Sequence, residues 1–388
     1  MPGRHFLQIP GPSNIPARVL KAMDRPVINH RGENFAVITK DIFPKLKQVF
    51  KTGQGTPIVF PSSGTGAWEA SLVNTLSPGD AVLAFVIGHF SGEYAQAAQN
   101  LGYAVERVEL PWGSGISGEQ VYEELSKDKA HRFKAVLTIH NETSTGVMTD
   151  LKSIREAMDR AGHPALLLVD SVSGLGSLDL RFDEWGLDVL VTCSQKGLLL
   201  PPGLGLLCVS EKALLAYQAA QTPKHYFDWG AMLEKNPAGF FPYTPASQLL
   251  FGLNEALDML LEEGLEQVFA RHARYAEGVR RAVRAWGLKI LAAKPEEASN
   301  VLATVMLPEG VDSNALIEYT EREIELALGN GLGPLNGRAF RIGHLGDLNE
   351  LEVLATLAGT EMGMRAMGMN IPLGSGVAAC QEWFLDGR

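Results

Sequence analysis

The sequence predicts an α/β protein: a large domain on a mainly parallel sheet, followed by a smaller α+β C-terminal domain. Three observations predict it. Short apolar runs of strand length alternate with longer amphipathic stretches through the first two thirds of the chain. Several runs, Leu166-Leu167-Leu168-Val169 most clearly, are apolar without interruption, the pattern of strands covered on both faces. After Trp286 the texture changes to shorter strands and helices.

In chain order, Pro10-Gly11-Pro12-Ser13-Asn14 reads as an extended arm, because a residue before proline is pushed out of the helical region. Strands are expected at 57–60, 81–87, 104–109, 135–140, 165–170, 189–193 and 205–209, with helices over 66–76, 92–101, 118–128 and 151–161 between them. Residues 247–286 carry apolar positions at helical spacing, with a break at Gly264. Strands at 289–292 and 300–307 and helices over 313–319 and 349–367 complete the pattern. The expected division is an arm at 1–17, a large domain at 18–260 and a small domain at 261–388, the 247–286 segment spanning the boundary. No low-complexity linker separates them, so they should pack closely.

Composition bounds the function. A chain of 388 residues exceeds one ordinary core, and its 46% hydrophobic content excludes wholesale disorder. With 34 basic against 44 acidic side chains, the net charge of −10 argues against a nucleic-acid partner yet permits a local cationic pocket. The 41 glycines have no fixed period, which excludes collagen and solenoids and marks them as turns or close approaches. Cys193, Cys208 and Cys380 form neither a metal-ligand pattern nor a disulfide framework, and His140 and His344 lack partners at ligand spacing, so no metal site is expected. No secretory signal is visible, the apolar runs are too short to span a membrane, and the C-terminal Leu385-Asp386-Gly387-Arg388 is no peroxisomal address. The expected location is the cytoplasm.

The chemistry gathers at the carboxyl ends of the apolar runs. Asp170 closes one run, and Lys196, 26 positions on, follows the next. Ligands bind at that edge of a doubly wound sheet, so the two either face one ligand or form an ordinary ion pair. Pro61-Ser62-Ser63-Gly64-Thr65-Gly66 follows a strand and opens a helix, which suits a phosphate cradle or a plain helix cap. It lacks the Gly-Lys-Ser/Thr ending of a nucleotide loop, so one phosphate fits better than three. Phe90 stands just after a strand, to stack on a flat ligand or pack in the core. A lysine, an aspartate, an aromatic face and an anion-binding turn are what pyridoxal phosphate requires.

Here the chain resembles the class V, fold-type I aminotransferases, within them the serine–glyoxylate and alanine–glyoxylate branch. The likeness runs from Pro10-Gly11-Pro12-Ser13-Asn14 to Arg341-Ile342-Gly343 and is most specific at Ser194-Gln195-Lys196, Val169-Asp170-Ser171-Val172 and His140-Asn141-Glu142-Thr143-Ser144-Thr145-Gly146. The resemblance implies that Lys196 forms the Schiff base, Asp170 pairs with the pyridinium, and Val172 packs on one ring face. Phe90 takes the place of the stacking aromatic, often Trp in relatives. Ser63, Gly64 and Thr65 match the phosphate turn, Gln195 adds a phosphate-side contact, and Thr143 stands beside the ring oxygen. Thr244 matches a residue that reaches the phosphate of the neighbouring subunit, which implies a homodimer with shared active sites and leaves higher oligomers open. Phe241 stands where some relatives carry Tyr. Arg341 matches the grip on the substrate α-carboxylate. It also stands on physical grounds, since a guanidinium within the apolar Phe340-Arg341-Ile342-Gly343 run needs a carboxylate or a structural salt bridge. Arg31, in Asn29-His30-Arg31-Gly32, is a candidate contact for a substrate side chain.

The implied activity is transamination from a small L-amino acid, serine favoured, to glyoxylate, giving glycine and a 2-oxo acid. Ser194-Gln195-Lys196-Gly197 with Pro201-Pro202-Gly203 and Asp183-Glu184-Trp185 favours serine; alanine, or aspartate if Arg31 reaches a second carboxylate, are the alternatives. A cysteine desulfurase needs a mobile cysteine, and residues 311–340 contain none. A phosphoserine aminotransferase needs a further cationic cluster, which is not seen. A nicotinamide-dependent dehydrogenase would rest on Gly113-Ser114-Gly115-Ile116-Ser117-Gly118 alone, here read as a surface loop, and would leave Lys196, Asp170 and Arg341 without a task. An inactive interaction protein would have no use for that intact trio.

Overall fold

The computed structural model describes residues 5–386; residues 1–4 of the arm, and Gly387 and Arg388 of the C-terminal tail, lie outside the described residues. Seven strands form the main sheet in the order Thr56–Ser62, Gly203–Val209, Val189–Cys193, Leu166–Asp170, Phe133–Ile139, Ala81–Val86 and Ala104–Glu109. Only Gly203–Val209 runs against its neighbours, so the sheet is mainly parallel. The uninterrupted apolar runs behave as expected of strands covered on both faces. Leu167 and Val169 enter a core with Leu125 and Ile154, from helices Gly118–Lys127 and Leu151–Arg160. Leu166 and Leu168 enter the opposite core, with Leu72 and Tyr94 from helices Gly64–Thr75 and His89–Asn100.

Helix Gly64–Thr75 is buried along most of its length, and small residues let it lie close to the reversed strand. A Cβ on Gly205 would stand 2.6 Å from the Ser63 carbonyl oxygen and 3.2 Å from Ala67 Cβ. The close approach, rather than any unusual backbone angle, requires glycine there. It aims the first turn of the helix at the carboxyl edge of the sheet.

The second sheet has the order Phe6–Gln8, Leu326–Asn330, Ala339–Gly343, Leu302–Met306 and Lys289–Ile290. Helices Ser313–Ile324, Glu350–Ala366 and Ser375–Asp386 share its core with the C-terminal half of Leu265–Ala285. The expected helix break is present: Ser247–Glu263 and Leu265–Ala285 meet at Gly264, whose φ of +86° favours glycine. The arm joins this sheet too, because Phe6–Gln8 pairs parallel with Leu326–Leu328. Its following residues run between the sheets: a Cβ on Gly329 would meet Pro10 at 2.7 Å. The Gly113–Gly118 loop is likewise shaped by close approach. Gly113 carries φ +100° and its carbonyl accepts from Ala293 N–H at 2.8 Å, while Gly115 N–H donates to Glu297 at 2.9 Å. No helix among the described residues is long and apolar enough to cross a membrane.

Replacing Gly205 with alanine should force helix Gly64–Thr75 off the sheet at a cost of about 1–3 kcal/mol, the usual penalty of overpacking. A lowered thermal midpoint would show this, whereas an unchanged midpoint would mean that the helix does not depend on that contact.

Candidate active site

Because every strand but one points the same way, Ser63, Phe90, Thr143, Asp170 and Lys196 all emerge at one edge of the main sheet. There they border a cavity of about 170 Å³, together with Gly64, Thr65, Val172 and Gln195. Thr244 and Arg31 do not join it. Both are exposed; Thr244 follows Tyr243, which stacks on Tyr226 at 4.6 Å, and the Arg31 N–H donates to Asn29 Oδ1 at 3.0 Å.

Asp170 is the last residue of a fully buried strand, paired with Ile139 and Val191 on either side. Its Oδ1 accepts from Val172 N–H at 2.6 Å and its Oδ2 from Trp68 Nε1–H at 2.8 Å. Burial nevertheless pushes the carboxyl up to about 7, against those two hydrogen bonds, and the nearby Glu142 charge pushes the same way. Trp68 escaped the sequence reading. Its one signal there is a large aromatic with a polar tip in a helix start that also carries the small residues Gly64, Gly66, Ala67 and Ala70. A buried indole N–H needs an acceptor, and here it finds Asp170.

Lys196 does not pair with Asp170. Its Nζ donates to the Pro10 carbonyl, so of the two alternatives the ordinary ion pair is not formed: the arm, absent from that argument, supplies the acceptor. Burial holds the Lys196 amine below its usual value, and Arg341 adds to the lowering. The arm approaches so closely that a Cβ on Gly11, which has φ +98°, would lie 2.5 Å from Nζ.

Arg341 sits on the second sheet, in the middle of Ala339–Gly343, and is 8% exposed. Its Nε donates to Asn330 O at 2.7 Å and Nη1 to Thr143 O at 2.9 Å, both neutral carbonyls. No carboxylate lies within ion-pair distance of it among the described residues, so the structural salt bridge is not formed. Burial lowers the guanidinium to about 10. Three of its five N–H donors remain for a ligand.

The remaining polar groups suit an anion. Gly64 and Thr65 are the first two residues of their helix, where N–H groups have no intrahelical partner. Gln195 Oε1 is buried without a hydrogen-bond partner. The Thr143 hydroxyl meets Ser173 Oγ at 2.7 Å. His140 packs behind the site: Nδ1 meets Ser171 Oγ at 2.9 Å, and burial drives the ring down to about 4, hence neutral.

The family model described as Aminotransferase class-V matches residues 5–334. The chain is 48% identical to a serine–glyoxylate aminotransferase of Methylorubrum extorquens, over 99% of this chain and 97% of that protein. It is 46% identical to an L-aspartate–glyoxylate aminotransferase of Paracoccus denitrificans, over 99% and 97%. Among solved structures, a ureidoglycine–glyoxylate aminotransferase of Bacillus subtilis superposes with a TM-score of 0.93 at 27% identity, covering 99% of both chains. Sequence, architecture and a buried lysine–aspartate–arginine constellation agree, and the chain belongs to the class V aminotransferases.

Proposed function

We propose that this protein transfers the amino group of a small L-amino acid, serine first, to glyoxylate, giving glycine and a 2-oxo acid. The observation that carries the reading is the juxtaposition of a deprotonation-prone Lys196 with Arg341, a buried guanidinium that faces only neutral carbonyls. Pyridoxal phosphate is the cofactor of the family, and the residues fit it. A buried carboxylate near 7 favours a cationic ring nitrogen beside it, an open helix start and the orphaned Gln195 oxygen border the same cavity, and Phe90 and Val172 line it.

When bound, the cofactor supplies an aldehyde that exchanges amines and a ring that takes up the electron pair left by the departing α-proton. Lys196 is the residue that would hold that aldehyde, and its Nζ, when free, would take and return the proton. A neutral amine is required for this, and burial lowers the Lys196 amine in that direction. Asp170 would keep the ring nitrogen protonated. Ser63, Gly64, Thr65 and Gln195 would hold the phosphate, Thr143 would serve the ring oxygen, and Arg341 would fix the α-carboxylate in a planar fork. The same fork serves donor and acceptor, because both are 2-substituted carboxylates.

Aspartate is the second reading for the donor, favoured by the Paracoccus denitrificans relative and by the exposed Arg31. The cytoplasm is the proposed location. A homodimer is part of the proposal: Thr244 is exposed where a partner's phosphate could be met, and Leu20, Val27 and Val37 are apolar and exposed at 50%, 72% and 63%. The division into domains at 18–260 and 261–388 is likewise proposed, supported by separate cores around the two sheets.

Purified protein with pyridoxal phosphate should show an absorbance band near the visible edge that Lys196→Ala abolishes with activity. Serine should bleach it and glyoxylate restore it; bleaching by aspartate and not serine would overturn the donor assignment. Gly11→Ala should cut the rate at least about tenfold by pushing Lys196 aside, equivalent to ~1.4 kcal/mol of barrier; wild-type turnover would show that the arm does not constrain the amine.

Stability should report on Asp170. Its folded value, about 7, lies above its unfolded value, so the folded state holds the proton more tightly. That contribution is complete below pH 4 and is lost as pH rises through 7, amounting to roughly 4 kcal/mol. The cofactor-free protein should therefore lose stability over that window, and Asp170→Asn should flatten the slope. Parallel pH profiles for the two would show that Asp170 ionises normally.

A further inference from the structure

The helix that presents Phe90 has no cap of its own. Its N-cap position is Gly88, which offers no side chain, and the first-turn N–H groups must find acceptors elsewhere. They find them in one place, the Asn141–Glu142 strand end and the turn after it. The Phe90 N–H donates to Glu142 Oε1 at 3.3 Å, the Ser91 N–H to Glu142 Oε2 at 2.8 Å, and the His89 N–H to Ser144 Oγ at 2.9 Å. Ser91 Oγ adds a bond to Oε2 at 2.9 Å, and Ser144 adds its N–H at 3.0 Å and its hydroxyl at 2.7 Å to Oε1. Glu142 is wholly buried. The turn is closed tightly around it: a Cβ on Gly88 would come within 2.5 Å of Glu142 Cδ and 2.6 Å of Ser144 Oγ.

The other end of the same turn meets the second sheet. Thr143 O accepts from Arg341 Nη1 at 2.9 Å, and Ser144 O accepts from Thr304 Oγ1 at 3.2 Å, Thr304 being the strand partner of Arg341. One carboxylate thus stands between the residue that would cover the ring and the residue that would hold the substrate.

We propose that Glu142 is a positioning residue that sets the placement of Phe90 over the cofactor and of Arg341 over the substrate carboxylate at once. This rests on the transaminase reading above. Five donors converge on the two oxygens, at least one backbone N–H on each. A glutamine in either orientation turns its NH2 toward a backbone N–H that cannot reverse, so the amide cannot substitute for the carboxylate. The helix dipole favours the same anion.

The test is a pair of mutant cycles in the cofactor-loaded and cofactor-free protein. Glu142→Gln should weaken pyridoxal phosphate binding to the apoprotein, followed by absorbance titration, by about tenfold, the ~1.4 kcal/mol scale of a hydrogen bond to a charged group. It should raise KM for donor and glyoxylate alike by a similar factor, with kcat changed less. In a Phe90→Ala background the effect on cofactor binding should vanish, and in an Arg341→Lys background the effect on KM should vanish. If Glu142→Gln does not fold, Ser144→Ala, which deletes one of the five donors, should move both constants in the same direction by less. Unchanged cofactor affinity and KM, or effects that simply add to those of Phe90→Ala and Arg341→Lys, would overturn the proposal. Wild-type protein that binds the cofactor without transaminating would instead overturn the function on which it rests.

Discussion

Desolvation of one carboxylate organises the site. Asp170 ends a strand buried on every side, flanked in register by Ile139 and Val191, and is itself only 2% exposed. Two hydrogen bonds, from Val172 N–H and Trp68 Nε1–H, offset part of that cost and leave the group near 7. A cation held against it would offset the rest. The surrounding packing serves that requirement: the helix that carries Trp68 lies close to the reversed strand because Gly205 has no Cβ, and Trp68 in turn stacks on Tyr94, whose hydroxyl meets Ser71.

The site is also a seam. Asp170 ends a strand of the main sheet, Lys196 follows the next, and Arg341 lies in the second sheet, yet the proposed function has all three address one small molecule. Two segments tie the halves together. The arm carries Phe6–Gln8 as an edge strand of the second sheet, then crosses to place the Pro10 carbonyl at Lys196 Nζ. The 141–148 hairpin leaves the main sheet and returns carbonyls to Arg341 and Thr304. Relative placement of amine and guanidinium is therefore fixed by backbone groups, which no side-chain substitution in the sheets themselves replaces.

Much of this was legible in the chain, for identifiable reasons. Leu166-Leu167-Leu168-Val169 could only be a strand covered on both faces, and a charge at its end could only sit at the ligand edge of a parallel sheet. Leu326–Asn330 was missed because its Ala327, Gly329 and Asn330 resemble a turn; Gly329 is small to admit Pro10, a contact 319 residues away. The roles of Trp68 and Glu142 did not show in the chain either, although Glu142 lies within the recognised 140–146 motif. Each acts through a partner from another element, Asp170 for the indole and the His89–Asn100 helix start for the carboxylate, and such a pairing has no local signature.

By itself the sequence determined which chemical groups the protein can bring to bear. It set a lysine and an aspartate at strand ends, a small-residue turn before a helix and an arginine in an apolar strand, because those positions follow from periodicity and the direction of the strands. Only the tertiary structure decided how they address one another. It showed that Lys196 rests on the arm rather than on Asp170, that Arg341 faces neutral carbonyls instead of a salt-bridge partner, and that burial shifts all three groups away from their values in water. Those outcomes depend on desolvation and on contacts between segments hundreds of residues apart, quantities that exist only once the chain has closed on itself.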